Sequence, residues 1–208
     1  MKFIEAIDPS ESIFAAAKIL DDVDNVRITQ ASVDNIPFPD ESFDLVFSLG
    51  VLHHIPDTFK AMASAVKKVK KNGYFLVYLY YDFENRGVLF KFLFSIVTLV
   101  RKVISKLPNK LKKISTDIIA IIIYYPFSLI SRLVKFLSKS DLYLKLPLSY
   151  YSDKSFYVMR NDSFDRFGTP LEQRFNKTQI NDMMTKCGLS EIVFSKKSPY
   201  WHAVGKKA

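Results

Sequence analysis

Cysteine, glycine, tryptophan and histidine are the scarce residues of this 208-residue chain. The one cysteine, Cys187, excludes an internal disulfide and leaves a thiolate-based zinc site short of ligands, which points to a reducing compartment. The six glycines, at positions 50, 73, 87, 168, 188 and 205, are all isolated, so no glycine-rich loop exists. The opening MKFIEAIDPS carries acids and a proline where a secretory leader needs an apolar stretch of about 7–15 residues, and a cytoplasmic protein is expected. Hydrophobic residues, at 49%, are ample for a packed core and exclude intrinsic disorder.

The formal net charge of +9 is local. Residues 86–145 hold twelve Lys/Arg against Asp117 and Asp141, and the rest of the chain is close to neutral. These cations are set among Phe, Leu, Ile and Val rather than in Arg/Gly or aromatic-stacking runs. No nucleic-acid partner is expected; an acidic membrane surface or an amphiphilic ligand fits better.

The first 85 residues alternate short β runs with helical spacing. Strands are expected at 3–7, 26–30, 43–49 and 74–81, and helices at 12–20 and 59–69. The near-continuous apolar run 43–49 reads as a strand buried on both faces. Residues 86–145 break that rhythm: from Val88 to Leu107 the polar positions form one narrow stripe on an otherwise apolar helix, which should therefore be largely covered. Pro108 ends it, and a second helical stretch follows with a kink at Pro126. Its apolar core, 118–130, is shorter than the roughly 20 residues of a bilayer span, so an inserted helical cap is expected, with the two helices packed on each other over the carboxyl edge of the sheet. Residues 146–170 read as loop-like. A helix then runs from Asn176 to Cys187, with Gly188 as its stop, and strands at 191–195 and 200–204 are joined by a turn too short for a parallel crossover, giving an antiparallel hairpin. The expected organisation is an α/β core of residues 1–85 and 146–208 with an insertion at 86–145.

Three segments carry a family resemblance: IEAIDPS, QASVDNIPFPDESFDLVFSLGVLHHIPD and VKKVKKNGYFLVYLYY. In this order and spacing the chain resembles a class I S-adenosylmethionine-dependent methyltransferase of the bacterial small-molecule or lipid type. The resemblance implies a Rossmann-like, mostly parallel sheet with a C-terminal antiparallel hairpin, and S-adenosylmethionine as cofactor. Its first segment corresponds to the family's second strand. The family's first strand, which lies mid-sheet and ends in a GxGxG-type loop holding the cofactor's methionine part, has no counterpart. Without it, either 3–7 pairs directly with 43–48 or an open edge remains, and weak cofactor binding is expected in either case. A further segment, 146–175, resembles one subgroup of these enzymes that shares the basic insertion.

The resemblance assigns cofactor binding to Asp8, Ser32, Val33, Ser48, Leu49, Gly50 and His53, and catalysis to His54 and Tyr81. Asp8 would accept from both ribose hydroxyls, or else cap the turn before the following helix. Ser32 stands where many relatives carry an acid reaching the adenine amino group, and Val33 would flank the adenine or simply pack. Ser48, Leu49 and Gly50 fall at a strand's carboxyl end, where open α/β sheets place ligands; Gly50 lets backbone approach the cofactor or permits a turn. Of His53 and His54 at most one lines the pocket. Adjacent side chains do not face one another, and no acids or thiols stand at ligand spacing, so no metal site is expected. Tyr80, Tyr81 and Asp82 meet substrate or pack. Arg174 beside Glu172, and Arg166 near Asp165, either bind an anionic substrate or form surface ion pairs, the latter being preferred.

The function that follows is methyl transfer to a small or lipid-like acceptor, with peripheral membrane contact through residues 88–139. The alternative is a non-catalytic remnant, or a membrane- or partner-binding module of the same fold. A nicotinamide-dependent dehydrogenase is weaker, since it too needs a glycine-rich loop.

Overall fold

The computed structural model describes residues 3–83, 87–138, 141–196 and 201–208. In chain order the elements are β1 (Ile4–Asp8), α1 (Ser12–Ile19), β2 (Val26–Gln30), β3 (Phe43–Leu49), α2 (Thr58–Lys67) and β4 (Val69–Tyr78), then α3 (Val88–Ile104), α4 (Asn109–Ile119), α5 (Tyr125–Ser138) and α6 (Phe156–Gly168), and finally α7 (Lys177–Lys186), β5 (Leu189–Phe194) and β6 (His202–Lys207). They form two compact units, Met1–Glu84 with Gln173–Ala208, and Asn85–Glu172. The first is the Rossmann-like α/β unit and the second is helical.

The α/β unit is built on β4. Its inward residues Phe75 and Val77, with Leu79 just beyond, meet Met62, Ala65 and Val66 of α2 and Ile180 and Met184 of α7 in one buried cluster. Each large side chain buried there contributes about 1.5–3 kcal/mol. Both helices start on side-chain caps. Asp57 accepts from the Lys60 N–H at 2.9 Å. Asn176 and Gln179 form a reciprocal capping box, and Gly188, at φ +84°, follows the end of α7.

The strands make two sheets: β1 pairs with β2, and β3-β4-β6-β5 form a four-stranded sheet. β1 is parallel to β2 and β3 to β4, whereas β6 is antiparallel to both β4 and β5. The expected hairpin is present, with β6 inside and β5 at the edge; its turn, at residues 197–200, lies outside the described residues. Among the described residues β1 and β3 each have one strand neighbour, so the sheet is open where the family's first strand would stand. β3 is not buried on both faces as expected: on the face that Phe47 and Leu49 share, they are 50% and 47% exposed. Lys70 to Gly73 also proves more than a helix stop. Strand β4 begins at Val69 and reaches Tyr74 through an irregularity in its register with β3, in which Asn72 takes φ +62°.

In the helical unit, α4 and α5 are one helical run, Asn109–Ser138, joined by a π-helical turn at Ala120–Tyr124 just before Pro126. The wider turn accommodates the proline that the sequence marks as a kink. Among the described residues this is the one helix long and apolar enough to cross a membrane by length and composition, and 22% of its most apolar window is buried. Residues 146–170 are not loop-like: Ser155 accepts from the Val158 N–H and starts α6, whose buried positions Met159, Ser163 and Phe167 mix polar with apolar and so mask its helical period. The helical unit therefore runs to Glu172 rather than ending at 145. α3 and α4 pack on α6, and α5 on the 3-10 turns at Asp141–Lys145 and Ser149–Asp153, more than α3 and α5 pack on each other. The expected cover over α3 is absent among the described residues. Its apolar positions Val88, Phe92, Leu99 and Val103 are exposed, and Arg101, Ile104 and Ser105 are buried.

Candidate active site

Asp8 ends β1 and Gln30 ends β2. The Ala31 N–H donates to the Asp8 carbonyl at 3.2 Å, so Asp8 and Ser32 occupy neighbouring strand ends. One Asp8 carboxylate oxygen accepts from the Ser10 N–H at 2.7 Å and from the Ser10 hydroxyl. That is the turn-capping role, which occupies one of the two oxygens. Ser32 likewise caps its own 3-10 turn, accepting from the Asp34 N–H at 3.3 Å. Val33 and Ile36 pack on the main core, which fixes the loop after β2.

The second cluster lies beyond β3 and β4. Gly50 takes φ +73°, a left-handed conformation that any side chain would strain, and its N–H donates to the Tyr78 carbonyl at 3.1 Å. An added Cβ would stand 3.8 Å from the Tyr78 ring, so backbone conformation rather than space requires the glycine. Ser48 and Leu49 lead into this turn; Ser48 is half-buried and Leu49 exposed.

His53, in a 3-10 turn at Leu52–His54, is completely buried, and both of its ring nitrogens lack a hydrogen-bond partner. It stacks on Tyr80 with ring centroids 3.9 Å apart. His54 packs on it at 4.1 Å, so the two histidines do meet: the tight turn overrides the divergence of adjacent side chains on regular elements. Burial, with repulsion from the neighbouring His54 and Arg174 adding to it, holds the His53 imidazole down at about 3, so it is neutral at physiological pH. The row continues through Tyr80 to Tyr78 at 5.8 Å and from Tyr78 to His202 at 4.5 Å.

The segment returning to the α/β unit closes this cluster. The Gln173 N–H donates to the His53 carbonyl at 3.0 Å, and its side-chain amide donates to the Ile55 carbonyl at 2.6 Å and the Thr58 hydroxyl at 3.1 Å. Arg174 lies over Phe83 at 4.3 Å and Tyr80 at 5.2 Å, and donates to the Tyr81 carbonyl at 3.1 Å. Arg174 is thus a half-buried cation held on aromatic faces. Tyr81 bridges Phe175 and meets Phe83 edge-on at 4.7 Å. Sequence reasoning missed Tyr78, Gln173 and His202. The alternation of Tyr78 with Tyr80 on one face of a strand was an available signal; Gln173 and His202 arrive from distant sequence with none. Burial pushes the Cys187 thiol up to about 11, so it is not a nucleophile at neutral pH.

Residues 2–77 match the family model described as a methyltransferase domain. The uncharacterized methyltransferase YcgJ of Bacillus subtilis (strain 168) is 37% identical over 63 residues, 30% of this chain and 25% of that protein. The ubiquinone/menaquinone biosynthesis C-methyltransferase UbiE of Marinomonas sp. (strain MWYL1) is 38% identical over 55 residues, 26% and 22% respectively. These matches span about a quarter of the curated relatives' length. Among solved structures, human N-acetylserotonin methyltransferase superposes with TM-score 0.53 at 14% identity, covering 99% of this chain and 41% of that one. An O-methyltransferase family protein from Burkholderia thailandensis gives 0.52 at 13%, covering 98% and 43%. At these identities the likeness is one of fold. Asp8, the loop after β2, Gly50 and His53 all fall inside the matched segment, so the candidate site lies within the part of the chain, residues 2–77, that is similar to the methyltransferase-domain family.

Proposed function

We propose that the chain binds S-adenosylmethionine at the carboxyl ends of β1, β2 and β3 and transfers its methyl group to a small or lipid-like acceptor. The observation that supports this best is His53: a neutral imidazole with two unpartnered ring nitrogens, buried beside the turn after β3, inside the methyltransferase segment. A buried polar group without partners is costly and needs a reason.

The residues fit the adenosine half of the cofactor. The Asp8 carboxylate oxygen that does not cap Ser10 is available to a ribose hydroxyl, Ser32 can meet the adenine amino group, and Val33 can flank the ring. Gly50 and His53 would line the far side, with the neutral imidazole offering one donor and one acceptor. When bound, the cofactor supplies a methyl group already activated on a sulfonium, so alignment and exclusion of water are the protein's main contribution. His54 and Tyr81 are the candidates to hold the acceptor or take its proton.

A second reading is a methyltransferase fold that binds without turning over: Asp8 and Ser32 each already cap their own turn. Titrating the full chain with S-adenosylhomocysteine, followed by calorimetry and by emission of the lone Trp201, separates the two. Saturable binding weaker than micromolar, together with transfer of label from S-adenosylmethionine into a lipid or small-molecule acceptor pool, is expected. Binding without transfer leaves the second reading; no saturable signal removes both.

A further inference from the structure

The helical unit has a small core of Ile104, Tyr124, Tyr151, Met159 and Phe167, and turns a much wider apolar face outward. Along Asn109–Ser138 the residues with no exposed surface are Thr116, Ala120, Ser128 and Ser131, spaced by four, eight and three. With Tyr124, which is 2% exposed, they make one inward stripe that repeats about every fourth residue. Small and hydroxyl side chains thus face the protein: Ser128 donates to the Tyr151 carbonyl at 2.9 Å, and Ser163 of α6 reaches the Thr116 carbonyl at 2.7 Å. The outward face is Ile114, Ile118, Ile121, Ile122, Leu133 and Phe136, with Phe136 81% exposed. α3 repeats this in part, burying Arg101 and Ser105 beside Ile104 while Val88, Phe92, Leu99 and Val103 are exposed. In water this arrangement loses the hydrophobic drive on every turn. In lipid it is the ordinary one, with small residues between helices and aliphatic side chains toward the acyl chains.

Charge and length fix how the unit meets the bilayer. Residues 118–131 carry no charge, and at 1.5 Å per residue they extend about 20 Å, against a hydrocarbon core of about 30 Å. Asp117 at one end is held by Arg160 at 2.7 Å, and Arg132 at the other is tied to the Ser152 and Lys154 carbonyls. Although the whole run Asn109–Ser138 has the length to cross, its uncharged stretch matches one leaflet better than a full span. Lys102, Lys106, Lys110 and Lys113 are exposed around the α3–α4 corner, where anionic headgroups would meet them.

We propose that the helical unit is a monotopic membrane anchor, which buries the outward apolar faces of α3 and α4–α5 in one leaflet of an anionic bilayer. The proposal stands on the helical unit and does not depend on methyl transfer. Its test is flotation of the full chain with phosphatidylcholine vesicles, with and without about one-third phosphatidylglycerol. The wild type should float with the anionic vesicles. The variant I122Q/L133Q/F136Q, altered only at exposed positions, should lose vesicle affinity by at least tenfold and retain its melting temperature. Changing Lys106 and Lys110 to Gln should weaken binding to the anionic vesicles roughly fivefold per lysine and leave zwitterionic vesicles unaffected. A wild type that stays unbound with both vesicle types overturns the proposal. So does a vesicle-inert dimer that the triple glutamine variant converts to monomer, since a second copy would then be what covers the face.

Discussion

The His53 imidazole lies against the Tyr80 ring, planes 28° apart, with neither of its nitrogens hydrogen-bonded. A phenyl ring would fill the same space with no polar atoms to satisfy. His53→Phe should therefore raise the apo chain's melting temperature and lower its affinity for S-adenosylhomocysteine. An unchanged affinity would make His53 a packing residue.

The same burial couples stability to pH. His53 has a folded pKa of about 3, below its value of 6.5 when unfolded, so its contribution is full above about pH 6.5 and is lost as pH falls toward 3. In that window the unfolded chain binds a proton that the folded one refuses, and stability should fall by at most about 1.4 kcal/mol per pH unit from this group. Urea melts read by Trp201 emission at pH 7.5 and 5 should show the slope, and His53→Phe should flatten it.

Asp8 can be split into its two roles. Asn at this position keeps an oxygen to cap Ser10 and loses the charge. Asp8→Asn should leave the fold intact and weaken S-adenosylhomocysteine binding about tenfold or more, as a charged hydrogen bond is worth about 1.5–3 kcal/mol. If only Asp8→Ala had an effect, and that on stability, capping would be its whole role.

Two glycines should differ in cost. At Gly50 only the φ of +73° opposes a side chain, and Gly50→Ala should cost about 1–2 kcal/mol. At Gly73 a Cβ would stand 2.9 Å from both the Asp44 carbonyl oxygen and a Val69 methyl, so the β3–β4 pairing itself must shift. Gly73→Ala should be the more destabilising in chemical denaturation.

Among the described residues β3 has β4 as its one strand neighbour, and its Phe47 and Leu49 are half exposed. Open strand edges recruit other strands. Leu49→Lys should reduce concentration-dependent light scattering of the purified chain, at little cost in melting temperature.

Period and punctuation determined much of this protein from sequence alone. Strands 26–30 and 43–49 fall at their expected residues because the apolar runs end at turn residues, and α7 begins on the Asn176 cap and stops at Gly188 because those signals are local. The family segments likewise place Asp8, Ser32 and Gly50 at strand ends, since motif and turn lie within a few residues of each other. Other features were decided only by tertiary structure. Helix α6 was hidden because its inward face mixes Met159 with Ser163, a choice that makes sense only once its neighbours are known. The stack of His53 on Tyr80 joins two separate elements, and the clamp around it brings Gln173 to Ile55 across 118 positions and Arg174 onto Tyr80 from a distant segment. Which face of α3 and α5 turns inward was likewise unreadable. Hydropathy period locates a stripe, but the solvent outside, water or lipid, decides which side of the stripe is the interior.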